Sequence, residues 1–98
     1  MIYLKEYDIK ENDIRHMQER YNDNIINFFK ENEDFIREKL DCLISEKYLI
    51  MPIINGNIKI FLELTSELKR KLKIMKEHKY SHKMIQMILM EESLYNKI

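Results

Sequence analysis

His78 and His82 stand four residues apart, the spacing that sets two imidazoles on one face of a helix, where they could share a metal ion. Completing a zinc set would require the fold to bring Cys42 and His16 against them, and neither an HExxH nor a CxxC motif is present. The histidines are therefore read as surface residues, and no metal site is assigned. Cys42 lies between Leu40 and Leu43 in a helical stretch. Nucleophilic use would need a neighbouring His and a depressed pKa, so packing is the expectation. A phosphate-cradling loop depends on glycine's backbone freedom, and the chain has one Gly. Its carboxylates are scattered along what read as solvated faces, and no acid–base pair stands out. The residues point away from an enzyme and imply no cofactor.

The side chains that do cluster are basic. Residues 68–83, LKRKLKIMKEHKYSHK, hold seven Lys or Arg against one Glu. Residues 1–50 carry twelve acids and eight bases, net −4, whereas residues 51–98 carry five acids and nine bases, net +4, for an overall charge of zero. A bipolar chain suits an anionic partner or head-to-tail self-association; a solvated helix face is the plainer reading of a single charge run. Lys69, Arg70, Lys71, Lys73, Lys76, Lys79 and Lys83 could meet phosphates, with Tyr80 set between bases.

Ninety-eight residues suffice for one core and one domain, residues 1–98. There is no Ala and no Val but sixteen Ile and eight Asn, a bias towards AT-rich codons that fits a low-GC bacterium or a phage or plasmid within one. One cysteine cannot form an internal disulfide, which suits a reducing compartment. The charged start, MIYLKEYDIKEND, does not read as a signal peptide, and no run approaches the roughly 18 apolar residues of a membrane span. A cytoplasmic location without membrane contact is expected.

The elements that must position these residues follow from periodicity. Ile2–Leu4 could form a short strand. Ile14, Met17, Tyr21, Ile25 and Phe28 recur at steps of three and four, one stripe of a helix capped by Asn12 or Asp13, and the NDN at 22–24 can divide it in two. A further helix starts at Asn32, buries Phe35, Ile36, Leu40, Leu43 and Ile44, and ends near Lys47. Asn55-Gly56, flanked by apolar residues, then signals a β-hairpin. Symmetric pairing sets Leu49, Met51 and Ile53 opposite Leu62, Ile60 and Ile58 on one face. Pro52, lacking an N–H, favours a four-residue loop or a disrupted edge strand. Thr65 or Ser66 can cap a helix with Leu64, Leu68, Leu72 and Met75 on its buried side. Ser81 can cap a last helix over 82–98, in whose segment MIQMILM only Gln86 is polar. A helix apolar nearly all round must bury more than one face, and a second chain is the expected cover.

Helices, then CLISEKYLI, then a hairpin, then LELTSELKRKL: this order resembles winged-helix regulators of the MarR-like and PadR-like kind over about residues 33–73. Leu43, Tyr48, Leu49 and Ile50 match their Leu-x-x-x-Gly-Leu-Ile pattern, and Leu64, Thr65 and Leu72 stand near their Leu-Thr-x-x-Gly-x-x-Leu. Both family glycines are replaced, one by Lys47 or Tyr48 and the other by Leu68, and the helix resembling the recognition helix is acidic, net −3 over 31–47. The resemblance implies a mostly helical α+β winged-helix domain that binds double-stranded DNA as a transcriptional regulator, through Lys59 on the wing and Lys69, Arg70, Lys73, Lys76, Lys79 and Lys83 behind it. Met84, Met87, Ile88 and Leu94 are expected to form a homodimer interface. The alternative is a protein-binding inhibitor or antirepressor that acts through its acidic helix or its Met-rich one.

Overall fold

Asn22 divides the first apolar stripe into two helices in the computed structural model, which describes all of residues 1–98. Helix α1 (Glu11–Arg20) ends where Tyr21 turns to extended backbone. Helix α2 (Asp23–Glu31) begins with the Asn22 carboxamide oxygen accepting the Ile25 N–H at 3.0 Å. The NDN interruption is thus an N-cap. Helix α3 (Glu33–Ser45) follows after one residue. Asn32 does not cap it with its side chain; it turns back and donates to the Phe28 carbonyl at 3.0 Å, closing α2. Glu33 and Asp34 occupy the first turn of α3, where the positive helix end favours carboxylates.

The expected strands are absent. Ile2–Leu4 belongs to a 3-10 segment, Ile2–Tyr7, pinned by the Tyr7 hydroxyl donating to Asp41 at 2.8 Å. Where the hairpin was expected, helix α4 (Ile50–Gly56) and a second 3-10 segment (Ile58–Leu62) take its place. The domain is all-helical, so the α+β class, the two-stranded sheet and the wing are corrected together. Four physical reasons are visible. Ile50, Ile53 and Ile54, all buried, have the i, i+3, i+4 spacing of a helix. Pro52 falls in the first turn of α4, where its missing N–H would have had no intrahelical acceptor. Neither Asn55 nor Gly56 adopts the positive φ that a two-residue hairpin turn demands. Ile60 and Phe61 are consecutive and both buried, which a strand with one solvent face cannot provide.

Gly56 serves a different purpose. A Cβ built on it would overlap the Met90 carbonyl oxygen and stand 3.2 Å from the carbonyl carbon. Glycine is therefore needed for close approach between chain segments, not for a turn.

Helix α5 (Thr65–Glu77) carries the basic run. Leu64, expected on its buried side, is instead its exposed N-cap. The last apolar stretch divides into α6 (His82–Leu89), capped by the Ser81 hydroxyl accepting the Met84 N–H at 3.1 Å, and a short α7 (Glu92–Tyr95). Helices α3 and α5 end alike. Lys47 and Lys79 take left-handed φ values of 64° and 59°. In each case the following tyrosine N–H reaches back to a helical carbonyl, Tyr48 to Leu43 at 3.0 Å and Tyr80 to Met75 at 3.1 Å. These are Schellman closures made without glycine.

The core gathers between α3, the Ile58–Leu62 segment and α5. Phe29, Ile36, Leu40, Leu43, Phe61, Leu68 and Met75 are buried in it, with the Phe29 and Phe61 rings 5.9 Å apart. Helices α3 and α5 run side by side in the same sense. The Thr65 hydroxyl donates to Glu38 at 3.1 Å near one end, and Lys76 pairs with Glu46 near the other. Acidic side chains of α3 and basic ones of α5 therefore face one another across a surface groove, and the Lys76–Glu46 ion pair joins the two halves of the chain. No helix is long and apolar enough to cross a membrane.

Candidate interaction face

Helix α6 buries only Ile85 and Leu89, and directional contacts hold the rest of it in place. At its start, the His82 ring stacks on buried Tyr48, centroids 4.3 Å apart and planes within 5°, and its Nε2 lies 2.9 Å from the Glu46 carbonyl. In the middle, Gln86 binds both backbone groups of Leu49: its Oε1 accepts the N–H at 2.7 Å and its Nε2 donates to the carbonyl at 3.2 Å. At its end, buried Asn57 donates to the Leu89 carbonyl at 3.1 Å, beside the Gly56–Met90 approach. The single polar residue of MIQMILM thus ties α6 to the start of α4, and the corner after α4 closes the C-terminus of α6.

This clamp leaves large apolar side chains in solvent. Met84 is 46% exposed, Met87 58%, Leu94 44%, and Leu49, next to Gln86, 65%. Ile88 is half-buried. Exposed apolar residues scattered singly are ordinary; here two share α6, and Leu49 and Leu94 belong to the elements beside it.

The expected DNA-contacting residues are placed differently. Lys59 pairs with Glu92 at 3.0 Å, Arg70 with Glu67, Lys73 with Glu77 at 4.0 Å and Lys76 with Glu46. Lys69, Lys79 and Lys83 have no carboxylate partner within the chain. Lys69, Lys73 and Lys76 line an open groove of roughly 1100 Å³ whose other wall carries Glu38, Asp41 and Glu46. Cys42 lies on this groove, and burial pushes its thiol upward, opposite to the shift that a nucleophile needs. His78 stacks on Tyr80 and His82 on Tyr48, so the two imidazoles address different rings; no three His, Cys, Asp or Glu residues converge as metal ligands.

Two lysines, Lys39 and Lys71, are buried, with no local signal in the chain to mark them. The Lys39 ammonium sits 3.3 Å from the Phe35 ring centroid and donates to the Thr65 hydroxyl at 3.3 Å; desolvation lowers its pKa. Lys71 donates to the Tyr95 carbonyl at 3.2 Å and lies 4.0 Å from that ring's centroid. Tyr95 in turn donates its hydroxyl to Glu63, whose carboxyl burial pushes upward. No buried side-chain polar atom lacks a partner, and Lys71, Tyr95 and Glu63 together form a polar latch for α7.

The chain is a small all-helical domain whose last helices leave apolar side chains exposed. No protein-family model, curated protein or solved structure matches the chain.

Proposed function

We propose that the chain is a protein-interaction module, not an enzyme, and that it docks a protein partner through the α6–α7 face. One observation carries this: Met84 and Met87 stand in solvent on α6, a helix fixed at its start, middle and end by hydrogen bonds, with exposed Leu94 on the adjoining α7. A face held in one geometry loses little conformational freedom on binding, and flexible, polarizable Met side chains adapt to protein surfaces. Double-stranded DNA is the competing partner. Lys69, Lys79 and Lys83 favour it, but there is no wing, and the other four candidate bases share their charge with carboxylates of the same chain.

The test is a photo-crosslinking residue placed at Met87, and at exposed Glu19 on α1 as control, in native cells. Discrete adducts from position 87, lost when Leu94→Glu is added, are expected. No adduct from position 87, or the same pattern from position 19, would refute the proposal. Salt-sensitive binding of random duplex DNA that survives Met87→Glu would move the function to the lysines.

A further inference from the structure

Lys83, Met87 and Glu91 follow one another at intervals of four residues. Met90 keeps helical dihedrals, φ −82° and ψ −12°, and the Glu91 N–H reaches the Ile88 carbonyl at 3.1 Å, so the last turn of α6 places the Cα of Glu91, whose own backbone then turns extended, φ −117° and ψ 105°, to lead into α7. Lys83 and Met87 therefore lie in one row along the exposed side of α6, with Met84 beside it, and the backbone of Glu91 continues that row just past the helix end. The row is a cation, an apolar side chain and an anion, and it is symmetric about Met87 with opposite charge at its two ends. Both charged residues are exposed, and neither has an ion-pair partner within the chain.

We propose that α6 pairs antiparallel with α6 of a second copy of this chain, about a two-fold axis through Met87. The proposal rests on the reading of this face as a docking surface and names its occupant. A two-fold interface must be self-complementary: each patch meets itself reversed. Reversing this row sets Met87 on Met87 of the partner subunit, Lys83 on Glu91 of the partner subunit, and Glu91 on Lys83 of the partner subunit. Each charge lies about 6 Å along the axis from Met87, four residues at about 1.5 Å each, so the two rows match in length. The helix dipoles add to this. Lys83 sits at the positive end of α6, a position that disfavours a cation, and an antiparallel neighbour brings its negative end and its carboxylate there. Met84 on both sides widens the apolar strip. The interface is short, which makes a weak, reversible dimer.

Sedimentation equilibrium over a range of concentrations tests this, with circular dichroism confirming that each variant stays folded. The native chain is expected to show a reversible monomer–dimer equilibrium, and Met87→Glu, which places two carboxylates on the axis, is expected to be monomeric. Lys83→Glu and Glu91→Lys alone each set like charges together twice and are expected to weaken the dimer roughly tenfold; the double variant restores the pairs and the dimer. A native chain that remains monomeric at high micromolar concentration overturns the proposal, as does a dimer unaffected by Met87→Glu or a double variant no stronger than the single ones. Monomeric behaviour with position-87 crosslinks to a different protein removes the self-pairing and leaves the docking face intact. Absence of both removes the two together.

Discussion

Replacing Asn55 and Gly56 separately by Ala distinguishes a helix from a hairpin at this site. In a two-residue hairpin turn both residues need positive φ, so Ala is unfavourable at either. In the structure neither has positive φ, and the two substitutions should act in opposite directions. Asn55 is exposed near the end of α4, and only its backbone carbonyl is engaged, by the Tyr21 hydroxyl at 3.4 Å. Asn55→Ala therefore exchanges a poor helix former for a good one, a gain of about 0.5 kcal/mol. For Gly56→Ala the same propensity effect, up to about 1 kcal/mol, opposes the collision of the new Cβ with the Met90 carbonyl, a backbone group with little room to retreat. Overpacking of this kind costs about 1–3 kcal/mol, or more against rigid backbone, leaving a net loss of about 1–2 kcal/mol. For a domain of this size, 1 kcal/mol moves the melting temperature by roughly 4–8 °C. Thermal unfolding followed by circular dichroism should show Asn55→Ala higher by about 2–4 °C and Gly56→Ala lower by about 5–15 °C. A fall with Asn55→Ala, or no fall with Gly56→Ala, would refute the reasoning.

Lys47→Gly and Lys79→Gly relieve left-handed residues that pay a Cβ penalty; each is expected to stabilise by about 0.5 kcal/mol in chemical denaturation once glycine's greater unfolded freedom is subtracted. Met87→Glu alters an exposed side chain outside the core, so its unfolding free energy should stay within about 0.5 kcal/mol of the native value; a larger loss would place Met87 in the core. Burial holds the Glu63 carboxyl above its ordinary value of 4.5, so the native state binds that proton more tightly than the unfolded chain. The site favours folding most below pH 4.5, and that advantage fades as pH rises through the raised native pKa. Glu63→Gln, still able to accept from Tyr95, should therefore melt higher than the native protein at neutral pH, with the difference shrinking towards pH 4.5. A difference that grows on acidification would contradict this assignment.

The parts legible in the sequence are those written locally. The stripe from Ile14 to Phe28, the break at Asn22, the Ser81 cap and the apolar face of α5 through Leu68, Leu72 and Met75 all follow from period and capping chemistry. The middle of the chain is misleading because Asn-Gly is a strong local turn signal and the reasons for this pair are remote. Gly56 answers to Met90, and Asn57 to Leu89, 32 residues away. Contacts of that range leave no mark in a window of ten residues. Two local signals were available: the helical spacing of Ile50, Ile53 and Ile54, and Pro52, awkward in a hairpin and acceptable in a helix's first turn. The repeated Lys-Tyr after two amphipathic stretches, at 47–48 and 79–80, marks both Schellman closures. At the candidate face, Met84, Met87 and Leu94 are exposed and Ile88 is half-buried, in a stretch whose near-continuous apolar run already exceeds one buried helix face. The role of Gln86 was not, since its partner lies 37 residues earlier.

Backbone assignment by nuclear magnetic resonance addresses the central point, that Ile50–Gly56 and Ile58–Leu62 are helical and that the corner between them closes on the end of α6. Helical Cα shifts through Ile50–Gly56 are expected, with Overhauser contacts from Gly56 to Met90 and from the Asn57 carboxamide to Leu89. Cross-strand Hα–Hα contacts pairing Met51 with Ile60 or Ile53 with Ile58 would contradict the account and restore the hairpin.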